Sequence, residues 1–173
     1  MEVFEAIKGR RSIRAFKEQN VSEETIKKLI ESATWAPSAG NIQPWEFIIV
    51  KERETKIRLS EAALNQEFLE EAPVLIIVCA NEIKSSQRYG TRGTTLYCIQ
   101  DTAAAIQNIH LVAFSLGLGT CWVGAFDESQ AREILHVPEG IRPVAMIPVG
   151  YPNEKPTLRR RQPICEIVHS ETF

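Results

Sequence analysis

The sequence predicts a single α+β domain with helices laid on a small sheet, and three observations carry that prediction. Two short runs of β-branched and aromatic residues, Trp45–Val50 (WEFIIV) and Val74–Ala80 (VLIIVCA), are bounded by Pro, Asn and charge, the pattern of strands. Segments with helical apolar spacing lie between and after them, the longest running from Cys98 to Leu116. The 173 residues, 44% hydrophobic, are enough for one sizeable core, and no repeat, low-complexity tract or interdomain linker divides them.

Taken in order, the chain opens on a short helix candidate that runs into RRSIR. Ser22 followed by Glu23 and Glu24 marks a helix start, because a hydroxyl cap and first-turn carboxylates both satisfy the positive helix end. Ile26, Leu29, Ile30 and Ala33 then share one helical face, and Pro37 stops the helix. Arg53 to about Ala72 reads as one or two charged helices, and the second strand, Val74–Ala80, as fully buried. The alanine-rich Cys98–Leu116 segment is expected to be the long central helix, ended by Gly117 and Gly119. Thr120–Gly124 is a short candidate strand, Asp127 caps a helix through Leu135, and Arg142–Val149 is a further strand. Its Pro143 and Pro148 favour an edge or terminal position. After Gly150 the Pro-rich, basic composition predicts an arm rather than a core element.

Composition excludes several classes of function. Twenty Lys+Arg against 22 Asp+Glu leave a formal net charge of −2, so no global field draws the molecule to nucleic acid or to an anionic bilayer. No apolar run approaches the roughly 20 residues of a membrane span. The start, MEVFEAIK, lacks the features of an export signal, and a cytoplasmic location is expected. Cys79, Cys98, Cys121 and Cys165 have no metal or redox spacing and are expected as reduced structural thiols. His110, His136 and His169 are scattered, and no metal site is expected.

Four segments concentrate groups that hold ligands. Arg10, Arg11, Ser12 and Arg14 place three guanidiniums and a hydroxyl within five positions, a good anion cradle, although a solvated helix end has the same look. Arg159, Arg160 and Arg161 are mutually repelling cations, tolerated through full solvation or a shared counter-anion. Domain termini often lie close together, so the two clusters are placed to clamp one phosphate. The loop APSAGNIQPW (36–45) combines breakers and small polar groups suited to the edge of a polar heteroaromatic ring, or to turning the chain alone. GLGTCWVGAFDE (117–128) has glycines flanking a short apolar segment, a place for close approach of another backbone or a flat ligand. Walker A, G-x-G-x-x-G and G-x-S-x-G motifs are absent, which removes the usual supports of kinase and hydrolase readings.

In this order RRSIR, APSAGNIQPW, GLGTCWVGAFDE and the PVGYP and RRRQP tail resemble the FMN-dependent nitroreductase family, in its short bacterial and archaeal branch, from about Phe4 to His169. The resemblance implies a small mixed or antiparallel sheet surrounded by helices. Residues 1–173 would form one domain, with about 151–173 an extended arm. It further implies an intertwined homodimer that exchanges these arms and holds FMN non-covalently in two interface sites. Arg10, Arg11 and Ser12 match positions around the ribityl phosphate, Arg14 a basic residue near the pyrimidine edge, and Arg159 and Arg161 the tail cations on the phosphate. Pro37, Ser38, Ala39, Asn41 and Gln43 match the loop that meets the flavin from the other subunit, with Ala39 where some relatives carry a hydroxyl. Val123 and Gly124 match the segment whose backbone amide faces flavin N5.

The implied reaction is ping-pong. NAD(P)H passes a hydride to FMN, and a small-molecule acceptor, a nitroaromatic, quinone or flavin, then takes the electrons. No side chain is assigned as catalytic acid or base. The segment after Ala80 is expected to be a lid whose Tyr89, Arg92 and Tyr97 contact substrate, or else cover the central helix. Other readings stay open: an FMN storage or delivery protein, a divergent flavin activity such as reductive dehalogenation, or a flavin-free protein binding nucleic acid through its basic clusters. The net charge of −2 opposes the last.

Overall fold

The computed structural model describes residues 1–173. Chain order is α1 (Val3–Gly9), α2 (Glu23–Thr34), β1 (Trp45–Val50), α3 (Arg53–Ala62), α4 (Phe68–Glu71) and β2 (Val74–Asn81). Then come α5 (Glu82–Arg92), a π-helical turn (Gly93–Tyr97), α6 (Cys98–Ser115), β3 (Gly119–Thr120), α7 (Glu128–Leu135) and β4 (Ile141–Gly150). The α2 start follows its sequence: the Ser22 hydroxyl accepts from the Thr25 N–H at 3.2 Å, with Glu23 and Glu24 in the first turn.

The four strands form one antiparallel sheet in the order β1-β2-β4-β3. Strand pleating sends Ile76, Val78, Ala145, Ile147 and Val149 to one face, where they bury against Leu29 and Ala33 of α2 and Ile106, Ile109 and Ala113 of α6. Leu75, Ile77, Cys79 and Met146 take the opposite face with Leu59 of α3, Leu69 of α4 and Ala131 of α7. The helix α6 therefore runs inside a three-layer core. No helix of the protein is long and apolar enough to cross a membrane.

Three expectations require correction. The Arg142–Val149 strand lies inside the sheet, not at its edge. Its prolines are tolerated because the ladder is interrupted beside them: Pro143 is opposite Cys79, at the register shift that falls between Val78 and Cys79. Met146 exchanges bonds with Val123, so alternation turns the Pro148 nitrogen toward the same side, into the gap between Val123 and β3. The Thr120–Gly124 strand contracts to Gly119–Thr120 plus that Val123 bridge, which is what leaves the gap. Cys165 is exposed on the tail, unlike the buried Cys79, Cys98 and Cys121.

Residues 12–17 and 150–154 knit the two ends of the chain together. Ser12 bridges Thr120 in parallel, Phe16 bridges Pro152 antiparallel, and the Lys17 and Asn153 N–H groups donate to the Tyr151 and Ala15 carbonyls at 2.9 Å each. From Thr157 to Phe173 every residue is exposed.

Ile106 is fully buried between the layers. Ile106→Ala is expected to lower unfolding free energy by about 2–5 kcal/mol in urea titration at fixed protein concentration. The exposed neighbour, as Gln107→Ala, is expected within about 0.5 kcal/mol of wild type.

Candidate functional site

The chain-end knitting delivers the two arginine clusters to one place. Arg10, Arg11, Ser12 and Arg14 line a cavity of about 280 Å³ together with Arg159 and Arg161. The Glu154 carboxylate fixes the start of the tail by accepting from the Arg14 N–H and, at 3.2 Å, from the Ala15 N–H. None of the five guanidiniums has an acidic partner; the ion pairs of the molecule are Lys28–Glu24, Lys51–Glu23 and Arg142–Glu128. Burial, then the like charges of Arg11 and Arg161, pull the Arg10 pKa below the usual guanidinium value. Such convergence without a counter-charge is the electrostatic form of an anion site. A neighbouring cavity of about 400 Å³ shares Arg10 and Arg11 and is walled by Ile13, Phe114, Leu118 and Thr120.

A buried histidine braces the cradle from behind. His110, on α6 and 2% exposed, lies with Nδ1 2.6 Å from the Thr120 hydroxyl, while the Thr120 carbonyl accepts the Ile13 N–H at 3.0 Å. Burial, followed by the charge of Arg10, pushes the His110 pKa down to about 4, so the ring is neutral near pH 7.

The RRSIR strand continues toward Cys121–Gly124. Burial raises the Cys121 thiol pKa, with the charge of Arg14 and the Ser12 hydroxyl acting in the opposite direction. In the segment expected to present a backbone amide, the Val123 N–H is committed to the Met146 carbonyl at 3.0 Å. The exposed Gly124 N–H has no partner in the protein, as is true of the neighbouring Trp122 and Ala125 N–H groups. The α3–α4 turn closes beside it: Gln66 Nε2 donates to the Ala125 carbonyl at 3.1 Å, and the Arg14 guanidinium stands 5.8 Å from the Phe68 ring centroid. Leu64 and Asn65 in this turn hold positive φ (61° and 57°). Sequence reasoning missed Asn65, whose side chain is unbonded; the Leu-Asn-Gln turn between charged helices was its only signal.

The loop with Pro37, Ser38, Ala39, Asn41 and Gln43 lies elsewhere. Its anchor is Asp101 in the first turn of α6, whose Oδ1 accepts the Ala39 N–H at 3.0 Å. Phe114, at the cradle, is 13 residues further along the same helix, about 20 Å at 1.5 Å per residue. Ser38 Oγ accepts the Gln43 N–H at 3.0 Å, Gln43 Nε2 donates to Asn41 Oδ1 at 3.2 Å, and Gly40, Asn41 and Gln43 all take positive φ. Above it, Lys84 donates to the Gln43 carbonyl at 3.1 Å and Arg88 to the Gly40 carbonyl at 3.2 Å. Tyr89, Arg92 and Tyr97 are brought together over this loop, Arg92 Nε donating to the Tyr97 hydroxyl at 2.8 Å. Asp101, Glu154 and Arg88 were not singled out from sequence: an acid in a helix's first turn, a tail acid and one more helical cation have no distinctive pattern.

The α+β scaffold thus carries an arginine cradle toward one end of the central helix and a polar loop toward the other. The sequence pattern of the nitroreductase family matches residues 7–66 and 60–151, and the chain belongs to that family. It is 39% identical over 163 residues to a Methanothermobacter thermautotrophicus protein with the provisional name NADH dehydrogenase/NAD(P)H nitroreductase, covering 92% of this chain and 82% of that one. It is 31% identical over 186 residues to the NADH dehydrogenase of Thermus thermophilus, covering 92% and 91%. Among solved structures, the NADPH:FMN oxidoreductase of Vibrio harveyi complexed with NAD+ superposes with a TM-score of 0.91 at 25% identity, covering 99% of this chain and 77% of that one.

Because a histidine with a depressed pKa takes up its proton on unfolding, stability is lost as pH falls from about 6.5 toward 4 and the loss is complete below 4. Between pH 7.5 and 4.5 wild type is expected to lose about 2 kcal/mol more than His110→Gln in parallel denaturant titrations. Superimposable pH dependences would place His110 in a wet environment.

Proposed function

We propose that the protein is an NAD(P)H-dependent FMN oxidoreductase working as a homodimer, each site combining the cradle of one subunit with the 37–43 loop of the other. The observation that carries this reading is the cradle: five guanidiniums without an acidic partner around a cavity of about 280 Å³, with the Gly124 N–H among the free backbone donors of the 121–126 segment. That donor set fits FMN, a dianionic phosphate at one end and a polar ring at the other. The family membership and the FMN oxidoreductase and NAD(P)H names of similar proteins support it.

The division of the site supports the dimer. Within one chain Asp101, which anchors the loop, and Phe114, beside the cradle, are separated by about 20 Å along α6, which favours supply of the loop by a second copy. The exposed tail carries Leu158, Ile164, Ile167 and Val168, and Phe4 and Trp35 (82% exposed) also face outward, an apolar surface that a partner's arm would cover. The chain is then one domain with an arm from about residue 151.

Bound FMN supplies the electron chemistry, a hydride in from NAD(P)H and electrons out to a nitroaromatic, quinone or flavin acceptor in alternate half-reactions. Arg10, Arg11, Arg159 and Arg161 hold the phosphate, and Ser12 adds a hydroxyl donor. Arg14 places positive charge near the pyrimidine edge, stabilising negative charge that develops there on reduction. The Gly124 N–H offers a donor toward N5 and no competing base; Val123 serves by fixing that peptide through its bridge to Met146. The partner's Pro37–Gln43 loop holds the ring and excludes water. Tyr89, Arg92 and Tyr97 face the acceptor, and no side chain acts as acid or base in this scheme.

Purified protein is expected to be yellow, and anaerobic titration with NADH or NADPH is expected to bleach the flavin bands at one equivalent per site. A colourless protein that also fails to bind added FMN would overturn the proposal, and bound flavin that neither nucleotide reduces would point to storage or delivery. Arg10→Ala and Arg161→Ala each remove a charge-assisted contact of about 1.5–3 kcal/mol, raising the FMN Kd by roughly 10- to 100-fold in fluorescence-quenching titrations.

A further inference from the structure

A second row of charge stands apart from the phosphate cradle. The Arg88 guanidinium lies 5.5 Å from the Tyr89 ring centroid, Tyr89 and Tyr97 meet edge to face at 5.0 Å, and Arg92 lies 5.2 Å from the Tyr97 ring. The backbone is shaped to produce this row. Gly90, at φ 53° and ψ −139°, breaks α5, and residues 93–97 wind as a π-turn, a device frequent at functional sites. On an unbroken α-helix Tyr89 and Tyr97 would be separated by about 12 Å of axial rise instead of meeting.

Neither guanidinium has an acidic partner. Arg88 uses one terminal nitrogen on the Gly40 carbonyl, and Arg92 uses Nε on the Tyr97 hydroxyl. Both terminal nitrogens of Arg92 and the rest of the Arg88 fork remain open for a carboxylate or phosphate. The paired phenol rings beside them offer an edge for a flat ring. The row is fastened to the 37–43 loop: a Cβ at Gly40 would lie 2.5 Å from the Tyr89 hydroxyl and 2.7 Å from an Arg88 terminal nitrogen. A surface made only to cover α6 needs apolar bulk rather than two open forks.

We infer that this row selects the electron acceptor, a planar aromatic compound carrying an anionic carboxylate or phosphate, with Arg88 and Arg92 as specificity-determining residues. The inference rests on the proposed function in that the 37–43 loop is taken to face the flavin. Benzoate and benzamide, matched in shape and differing in charge, are the probes, titrated into the FMN-loaded protein and followed by flavin absorbance and by calorimetry. Benzoate is expected to bind about tenfold more tightly than benzamide, a preference that Arg92→Gln and Arg88→Gln each reduce severalfold. The kcat/KM ratio for 4-nitrobenzoate over 4-nitrobenzamide is expected to fall in parallel. Phenyl phosphate binding above benzoate would assign a phosphate, and below it a carboxylate. Equal affinity for benzoate and benzamide in wild type, or a preference unchanged in both variants, would overturn the inference. Flavin content of the same samples separates the two readings: a flavin-free protein whose calorimetric benzoate preference still falls in Arg92→Gln upholds the anion row and overturns the FMN oxidoreductase.

Discussion

The straight, buried run of α6 is the constraint on which the rest of the structure depends. Its apolar residues are locked between α2 and the sheet, so the helix cannot bend to bring its ends together. One end carries Asp101 and the polar loop; the other carries Phe114 and the braced arginine cradle. In the proposed dimer a ligand that needs both would bridge two copies of the chain. The exposed apolar residues of the tail fit the dimer proposed above, in which each subunit would be held to its partner.

Electrostatics work at both ends in complementary ways. At the cradle, positive charge is concentrated with no acid paired to a guanidinium, Glu154 being bonded to backbone N–H groups, and the buried His110 behind it is kept neutral rather than adding to the repulsion. At the loop the arrangement is inverted. Asp101 is buried, and its pKa is raised by desolvation, partly offset by the hydrogen bond from Ala39. One carboxylate oxygen holds the loop and the other has no partner in the subunit. A buried group left half satisfied is costly, and its persistence fits a position whose surroundings are completed on assembly.

Much of this was legible in the sequence, but unevenly. Caps and apolar spacing located α2 and α6, and β-branched runs located β1 and β2, because local physics dominates there. Pro143 and Pro148 misdirected the placement of β4, since tolerance of a missing N–H depends on where the neighbouring strand breaks. The arginine clusters were visible as charge. Their convergence was not, because it is made by backbone pairing of residues 12–17 with 151–154, which leaves no trace in side-chain pattern. Asp101 was invisible for the opposite reason: an acid at that point of a helix has a sufficient local explanation.

The choice between Val123 and Gly124 shows how far a motif reaches before geometry must decide. Both residues lie in the matching segment, and both amides would serve equally on composition. Met146 takes the Val123 N–H and returns its own, fixing the peptide plane that follows. A side chain is useful at the buried Val123, where it packs against the core, whereas the exposed Gly124 leaves its backbone open to close approach. The residue types at 123 and 124 therefore follow from what surrounds each amide, the first bonded inward to the sheet and the second left open to solvent.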